Sequence, residues 1–101
     1  MSEKEFQSQV IALAHLTGWR VYSIPDSRRT TLSGYPDLTL WNPKKKAVLF
    51  AELKTDKGRL SAEQITVIDE LRECGTQVVV WRPKDWEEIV GTLKKGKQWQ
   101  E

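Results

Sequence analysis

Cysteine and histidine are nearly missing from this chain, which has one of each among its 101 residues. A single cysteine, Cys74, excludes an intrachain disulfide and a zinc site built from several cysteines. We expect Cys74 to be a buried, small apolar residue in a reducing compartment. We expect His15 to lie on a helix surface and to bind no ligand.

Long apolar runs are also missing. No segment approaches the ~20 apolar residues that cross a membrane, and the charged start over residues 1–5 does not resemble a signal peptide. Internal repeats and low-complexity linkers are absent as well. The sequence therefore predicts a cytoplasmic protein without a membrane partner. It also predicts a single domain over residues 1–101, with a polar tail from about residue 94.

What the chain does have is an ordinary globular composition with a slight excess of positive charge. Its 16 basic and 14 acidic residues give a net charge of +2. Acids gathered at one site would leave the remaining surface more basic, which is compatible with a nucleic-acid partner. The five tryptophans are many for this length, and composition alone leaves core, interface and base-stacking roles open.

Hydrophobic periodicity predicts an α/β domain in the order α-β-β-β-α-β-α. A strand–helix–strand crossover after the third strand requires a parallel pair, so the sheet should be mixed and flanked by helices. The predicted elements are a helix over Glu3–Leu16, strands over Arg20–Ile24, Leu38–Trp41 and Ala47–Leu53, a helix over Ser61–Glu73 with an apolar stripe of Ile65, Ile68 and Leu71, a strand over Gln77–Trp81 and a short helix from Pro83.

The second and third strands should bring two acids together. A hairpin that turns near residues 44–45 pairs Leu38 with Ala51, which places Asp37 opposite Glu52. Directly opposed residues have their Cβ atoms ~5 Å apart. Lys54 follows Glu52 by two positions and therefore projects to the same side of its strand.

Two adjacent carboxylates repel each other unless a cation lies between them. Asp37 and Glu52 are hard oxygen ligands of the kind that Mg²⁺ or Mn²⁺ binds, and the Leu53 carbonyl could add another. Such a cation activates water and neutralises phosphate charge, while Lys54 could orient the water or stabilise the phosphate. The alternative is an exposed hairpin in which Lys54 forms a salt bridge with the acids.

Three motifs resemble those of the virus-type replication-repair nuclease (VRR-NUC) family within the PD-(D/E)xK superfamily. They are Gly34-Tyr35-Pro36-Asp37-Leu38, Ala51-Glu52-Leu53-Lys54 and Gly58-Arg59-Leu60-Ser61-Ala62-Glu63-Gln64. The resemblance covers nearly the whole chain and implies a restriction-endonuclease-like αβββαβ fold.

The same resemblance implies roles for individual residues. Asp37 and Glu52 correspond to the metal-binding acids, Lys54 to the catalytic lysine and Gln64 to a glutamine that positions water or phosphate. Gln64 also fits a capping box with Ser61, and the sequence leaves both roles open.

The resemblance further implies a glutamate on the first helix that approaches the site. Glu3 and Glu5 are both candidates, and we favour Glu3. An acid at a helix N-terminus is also explained by the helix dipole alone.

The activity implied by the resemblance is metal-dependent, structure-selective cleavage of DNA. The leading substrate is a four-way (Holliday) junction cut by a homodimer, as in small phage-type resolvases of a bacterial or phage-infected cell. Cleavage of flaps, nicks or ordinary duplex is the alternative, and a non-catalytic nucleic-acid-binding module is the third possibility.

The predicted phosphate contacts flank the site, at Arg28, Arg29, Lys57 and Arg59. Residues 44–46 lie at the far end of the hairpin and are expected to be solvated.

Overall fold

The structure, a computed structural model, describes residues 1–24 and 31–97. Its elements follow the predicted order: α1 (Glu3–Leu16), β1 (Arg20–Ser23), β2 (Leu38–Asn42), β3 (Ala47–Leu53), α2 (Ala62–Glu73), β4 (Gln77–Trp81) and, after a 3₁₀ turn over Pro83–Asp85, α3 (Trp86–Lys95). Within these ranges, none of the helices is long and apolar enough to span a membrane.

The four strands form one mixed sheet in the order β1-β2-β3-β4. The first three strands are antiparallel, and β3 and β4 are parallel, as the crossover through α2 requires. The observed pairing of Leu38 with Ala51 and of Trp41 with Val48 confirms the predicted register. This register places the end of β3 directly beside the chain that enters β2.

The main core lies between one face of the sheet and the helices α1 and α3. Phe6, Val10 and Ala14 follow one another at helical spacing on α1 and are fully buried. They pack with the strand residues that alternate onto this face and with two residues of α3. The buried cluster comprises Phe6, Val10, Ala14, Trp19, Leu38, Leu40, Leu49, Ala51, Leu53, Val79, Trp81, Ile89 and Leu93.

The opposite face of the sheet is covered in part by α2, which contacts β4. Val67 and Ile68 are the buried residues of this helix. The predicted apolar stripe is therefore wrong at Ile65, which is 47% exposed. Helical spacing identifies an apolar stripe, but the neighbouring strand decides which edge of that stripe is covered.

Two expectations about chain ends and turns are also corrected. Cys74 is exposed, not buried, because it caps the C-terminus of α2 where the chain turns outward through Gly75 at φ +86°. The polar tail predicted from residue 94 begins later, since α3 continues through Lys95 and ends at Gly96 in the left-handed conformation. His15 is exposed on α1, as expected.

Tryptophans occupy both the core and the surface. Trp19 and Trp81 are buried, and the indole of Trp19 donates a hydrogen bond to the Leu93 carbonyl at 2.8 Å. Trp41 and Trp86 are each 37% exposed, and they lie on β2 and at the start of α3. Composition could not distinguish these two pairs.

Candidate active site

Asp37 is held at the entrance to β2 by a rigid approach and a main-chain contact. Pro36, immediately before it, is buried. The Asp37 Oδ2 atom accepts a hydrogen bond from the Leu53 N–H at 2.8 Å. The bond spans from the chain entering β2 to the end of β3 and fixes the carboxylate beside Glu52.

Glu52 is a buried acid on β3, with 1% of its surface exposed. Its Oε2 atom accepts a hydrogen bond from the Gln64 side-chain amide at 3.0 Å. Its Oε1 atom is buried and has no hydrogen-bond partner among the described residues. A buried carboxylate oxygen without a donor is costly in a folded protein, so this atom marks a place where a further group can bind.

Burial, reinforced by the neighbouring acid, raises the pKa of Glu52 to about 8. The charge of Asp37 acts in the same direction, whereas the charge of Lys54 opposes them. The predicted trio of Asp37, Glu52 and Lys54 is thus one interacting cluster. In this cluster a buried acid lies beside a second acid, and a divalent cation would compensate both the burial of the charge and the repulsion between the acids.

Gln64 connects the helix α2 to this cluster. Its side-chain oxygen accepts from the Ser61 main-chain N–H at 2.8 Å, and the Gln64 main-chain N–H donates to the Ser61 hydroxyl at 3.1 Å, which completes a capping box. The side-chain nitrogen of Gln64 donates to Glu52. The two interpretations left open by the sequence are therefore compatible, because the cap orients the amide that contacts the acid.

The start of α2 is pressed against the turn that precedes Asp37. Gly34 has φ +93°, and a Cβ atom there would lie 2.5 Å from the Glu63 carbonyl carbon and oxygen. It would also lie 2.8 Å from the Gln64 nitrogen. Only glycine permits this approach, and the contact holds Gln64 close to the acid pair. The sequence showed Gly34 as part of a motif but not what it packs against.

Lys54 lies at the end of β3 on the same side as Glu52. Its main-chain N–H donates to the Trp81 carbonyl at 3.0 Å, and its charge lowers the pKa of Glu52. The side chain passes close to Gly58, where an added Cβ atom would lie 3.4 Å from the lysine Cδ. The ammonium group therefore belongs to the electrostatic environment of the acids.

The two glutamates of the first helix have different surroundings. Glu5 completes a capping box with Ser2, whose N–H donates to its carboxylate at 3.0 Å, and these bonds lower the pKa of Glu5. The charge of Glu3, in contrast, acts on Glu52 and raises its pKa. This difference supports the preference for Glu3, which stays a prediction as a site residue.

The donor set fits a hard divalent cation that keeps part of its water shell. Asp37 and Glu52 offer carboxylate oxygens, and Glu52 Oε1 is buried and unpaired within the described residues. No group of three or more His, Cys, Asp or Glu side chains that could hold a metal occurs in residues 1–24 and 31–97. Further ligands would have to be water, substrate phosphate or a main-chain oxygen such as that of Leu53. Mg²⁺ commonly binds in this way.

A cavity of about 420 Å³ opens beside Asp37 and Gln64. Its wall combines these polar groups with apolar side chains from the preceding turn, and the remaining lining residues are Ile24, Thr31, Leu32, Ser33, Gly34, Tyr35 and Ser61. Asp37 is therefore accessible from an open groove, whereas Glu52 is buried and does not line it.

The loop between β3 and α2 carries the predicted phosphate contacts Lys57 and Arg59, both exposed. The Arg82 guanidinium donates to the carbonyls of Thr55 and Gly58, each at 2.6 Å, and ties this loop to the end of β4. Sequence reasoning missed Arg82. The parallel pairing of Leu53 with Trp81 could have indicated it, because the residues that follow these two are neighbours. Arg28 and Arg29 lie outside the described residues.

Known nuclease proteins are similar in sequence to part of this chain. Two curated relatives, Fanconi-associated nuclease 1 homologs of Caenorhabditis briggsae and Schizosaccharomyces pombe, are 49% identical over 41 residues and 53% identical over 36 residues. These alignments cover 41% and 36% of this chain but only 5% of each relative.

Solved structures share the fold at low sequence identity. A VRR_NUC domain matches with a TM-score of 0.71 and 22% identity, over 87% of this chain and 92% of that chain. Hjc, a Holliday junction resolvase from the archaeal hyperthermophile Archaeoglobus fulgidus, matches with a TM-score of 0.57 and 20% identity, over 79% and 68%. These likenesses confirm the restriction-endonuclease-like fold.

The family itself follows from the sequence match. The family model described as the VRR-NUC domain matches residues 3–85, which include Glu3, all three motifs and the 3₁₀ turn that precedes the last helix. The chain therefore belongs to the VRR-NUC family of nuclease domains.

Proposed function

We propose that this domain is a divalent-metal-dependent endonuclease that hydrolyses phosphodiester bonds in branched DNA. One observation carries the proposal. Within the described residues, the buried Oε1 of Glu52 has no hydrogen-bond partner, and Glu52 interacts with Asp37, which lines an open groove. A carboxylate pair whose only described side-chain donor is one amide is poorly explained as a salt bridge. It is well explained as a site for Mg²⁺ or Mn²⁺ and an anionic substrate.

Each residue of the site would have a distinct role in binding the cation, the water or the phosphate. Asp37 and Glu52 would hold the cation, with the Leu53 carbonyl as a third protein oxygen. When bound, the cation would supply positive charge at the scissile phosphate and lower the pKa of a water. Hydrolysis forms a bond between the water oxygen and phosphorus and breaks a phosphorus–oxygen ester bond, which leaves a phosphate and a hydroxyl end.

Lys54 and Gln64 would act on water and phosphate. The Lys54 ammonium can donate to the attacking water or to the phosphate oxygens, where negative charge develops. The Gln64 amide, fixed by the Ser61 cap and bonded to Glu52, would hold that carboxylate in one orientation. Glu3 would add negative charge to the cluster from α1.

The basic loops would bind the DNA backbone around this site. Lys57 and Arg59 are exposed on the loop that Arg82 holds in place, and Arg28 and Arg29 precede Asp37 in the sequence. Contacts of this kind give affinity without sequence preference and weaken as salt rises.

The four-way junction is the first substrate to test, because Hjc, whose fold this chain shares, is a Holliday junction resolvase. A homodimer suits such a substrate, since symmetric cleavage of a branch requires two sites related by a two-fold axis. Flapped, nicked and ordinary duplex DNA form the second class of substrate. We place the reaction in the cytoplasm of a bacterial or phage-infected cell.

The test is cleavage of labelled junction, flap, nicked and duplex DNA by pure protein with Mg²⁺, with Mn²⁺ and with EDTA. We expect junction cutting that requires a divalent cation. Asp37→Asn and Lys54→Ala should lower its rate about 100-fold or more. Asp69→Asn and Lys95→Ala, which alter exposed residues of α2 and α3, are the matched controls and should cut normally.

Two results would contradict the proposal. Binding of DNA without cleavage of any substrate, with either cation, would identify a non-catalytic binding module. Full activity of a folded Asp37→Asn protein would show that the bond is broken elsewhere.

A further inference from the structure

Part of one sheet face is left uncovered by residues 1–24 and 31–97. The face that carries Glu52 is covered by α2 near β4, but Tyr22 on β1, Trp41 on β2 and Val48 on β3 are 55%, 37% and 48% exposed. Pairing of Arg20 with Trp41, of Tyr22 with Thr39 and of Trp41 with Val48 places these side chains on one surface. We call Arg20, Tyr22, Thr39, Trp41 and Val48 the open face.

The open face is continuous with the candidate active site. Side chains alternate along a strand, so Val48, Phe50 and Glu52 share one side of β3. On β2 the same side carries Trp41 and Thr39, and Asp37 precedes them at the same spacing. Four residues of strand correspond to about 14 Å at about 3.4 Å per residue. That length matches about four nucleotides stacked at about 3.4 Å each, and as few as about two in an extended strand.

Charge distinguishes between possible occupants of the open face. Arg20 lies on it. A groove of about 650 Å³ beside the hairpin turn is lined by the cations Arg20, Lys44 and Lys45 together with uncharged residues, which are Leu16, Thr17, Gly18, Asn42 and Pro43. The Lys45 ammonium donates one hydrogen bond to the Lys94 carbonyl, at 2.7 Å. Within the described part of the chain, no carboxylate lines this groove. A two-fold contact between copies would apply the same cationic patch to both partners, whereas a polyanion complements it.

Aromatic side chains beside cations on an open sheet are suited to unpaired bases. Stacking on tryptophan and tyrosine needs a free base face, which a duplex does not offer, and it tolerates any sequence. Arginine and lysine contribute phosphate contacts along the same strand.

From these observations we infer that the open face binds two to four unpaired nucleotides of the strand that adjoins the cleaved bond. Trp41 and Tyr22 stack on bases, and Arg20 and Lys44 contact phosphates. The position next to the cleaved bond rests on the proposed function, but the single-strand binding itself does not. The preferred substrates are accordingly branches that carry a single-stranded arm.

Binding is measured by fluorescence anisotropy of a labelled oligothymidylate and of a duplex of equal length, at fixed salt with EDTA. We expect Trp41→Ala and Tyr22→Ala each to weaken oligothymidylate binding about ten-fold. Trp41→Phe should retain most of the affinity, because it keeps an aromatic ring. Trp86→Ala is the matched control, since Trp86 has the same 37% exposure on a helix of the other face, and it should bind normally.

Several results would overturn the inference. One is a folded Trp41→Ala protein that binds oligothymidylate as tightly as the wild type. Another is an equal loss of affinity in Trp86→Ala. A third is a dimer in sedimentation that Trp41→Ala dissociates without any change in oligothymidylate affinity, which would assign the open face to contact between copies.

Cleavage separates this inference from the proposed function. With Mg²⁺, we expect the wild type to cut a branch with a single-stranded arm faster than the same branch with all arms paired. Trp41→Ala should remove that difference. Trp41-dependent binding by a protein that cuts nothing would support the open face and contradict the nuclease proposal. Cleavage with no arm preference and no dependence on Trp41 would do the opposite.

Discussion

At the scale of single residues, the charge state of Glu52 depends on what binds beside it. With its pKa raised to about 8 by burial and by Asp37, this carboxyl is largely protonated at neutral pH in the metal-free protein. A bound divalent cation favours the ionised form instead. Metal binding should therefore release a proton near neutral pH, as is usual where ligands must be deprotonated.

The first prediction concerns the stability of the metal-free protein. Folded Glu52 has a pKa of about 8, and the unfolded chain has the model value of 4.5. Between these values the folded state binds more protons than the unfolded state, so the free energy of unfolding falls as pH rises. The stabilising contribution of protonated Glu52 is fully present below pH 4.5 and is lost by about pH 8. Urea unfolding in EDTA across this interval measures the effect.

Glu52→Gln is the control for that experiment, because it cannot ionise and leaves other titrating groups in place. We expect the difference in stability between wild type and Glu52→Gln to change with pH by at most about 1.4 kcal/mol per pH unit. The wild type should become less stable relative to Glu52→Gln as pH rises. A difference that stays constant with pH would show that Glu52 titrates normally and is not held among acids.

The second prediction separates the two roles of Gln64. Glutamate at this position preserves the capping box with Ser61 but replaces the amide donor to Glu52 by an acceptor. We expect Gln64→Glu to lower the free energy of unfolding by about 1–3 kcal/mol, because the buried Glu52 Oε2 loses its donor beside a new acid, and to lower the cleavage rate about 100-fold. Denaturant unfolding and single-turnover cleavage measure the two effects.

Ser61→Ala provides the complementary control, because it removes the cap hydroxyl and keeps the amide. It should cost about 1 kcal/mol of stability and leave most of the activity. If Gln64→Glu cleaved at the wild-type rate, the bond between Gln64 and Glu52 would be structural only. Equal losses of activity in both variants would show that Gln64 acts through the helix cap alone.

At the scale of elements, the site depends on how α2 is placed against the turn before β2. Gly34 is the contact point, since a Cβ atom there would meet the Glu63 main chain at 2.5 Å. As a third prediction, Gly34→Ala should displace the start of α2, and with it the Gln64 amide. We expect reduced stability together with reduced cleavage, measured by urea unfolding and by single-turnover rates.

Gly75→Ala is the matched control for this prediction. Gly75 also has positive φ, at +86°, but an added Cβ atom there meets nothing within 4 Å in the described structure. Both variants carry the backbone strain of a left-handed alanine, about 1–2 kcal/mol. Gly34→Ala should cost about 1–3 kcal/mol more through overpacking. Equal costs, with normal cleavage by Gly34→Ala, would show that the turn yields without moving the helix.

The elements that the sequence predicts well are those governed by alternation and short connections. The β2–β3 register followed from a short hairpin turn, and Asp37 lies beside the end of β3, where its carboxylate accepts from the Leu53 N–H. The buried side of α2 and the role of Arg82 did not follow, because each depends on a neighbour distant in the sequence. The exposure of Cys74 has a local cause, since α2 ends there before Gly75. Gln64 was ambiguous for a related reason, since one amide satisfies a local cap and a remote acid at once.

At the scale of the whole molecule, charge is distributed unevenly around a small net value. The acids of the site lie at one end of the sheet face, and basic groups lie on the loop over Lys57–Arg59 and at the far hairpin end. A net charge of +2 therefore understates the attraction for DNA. One such domain presents one candidate site, whereas a four-way junction has two equivalent strands to cut, so the proposed resolution of a junction would require two copies.

The fourth prediction tests this requirement for two copies. Wild-type chains co-refolded with an excess of Asp37→Asn chains should form mixed dimers in which one site is active. Such dimers should nick one strand of a four-way junction and release few resolved products, because the second, symmetric cut is missing. Nicks and resolved products are separated on denaturing and native gels. Co-refolding with Asp69→Asn, whose substitution lies on the exposed side of α2, should leave paired cutting intact. Resolved product that falls only in proportion to the amount of active protein would instead indicate that each chain cuts alone.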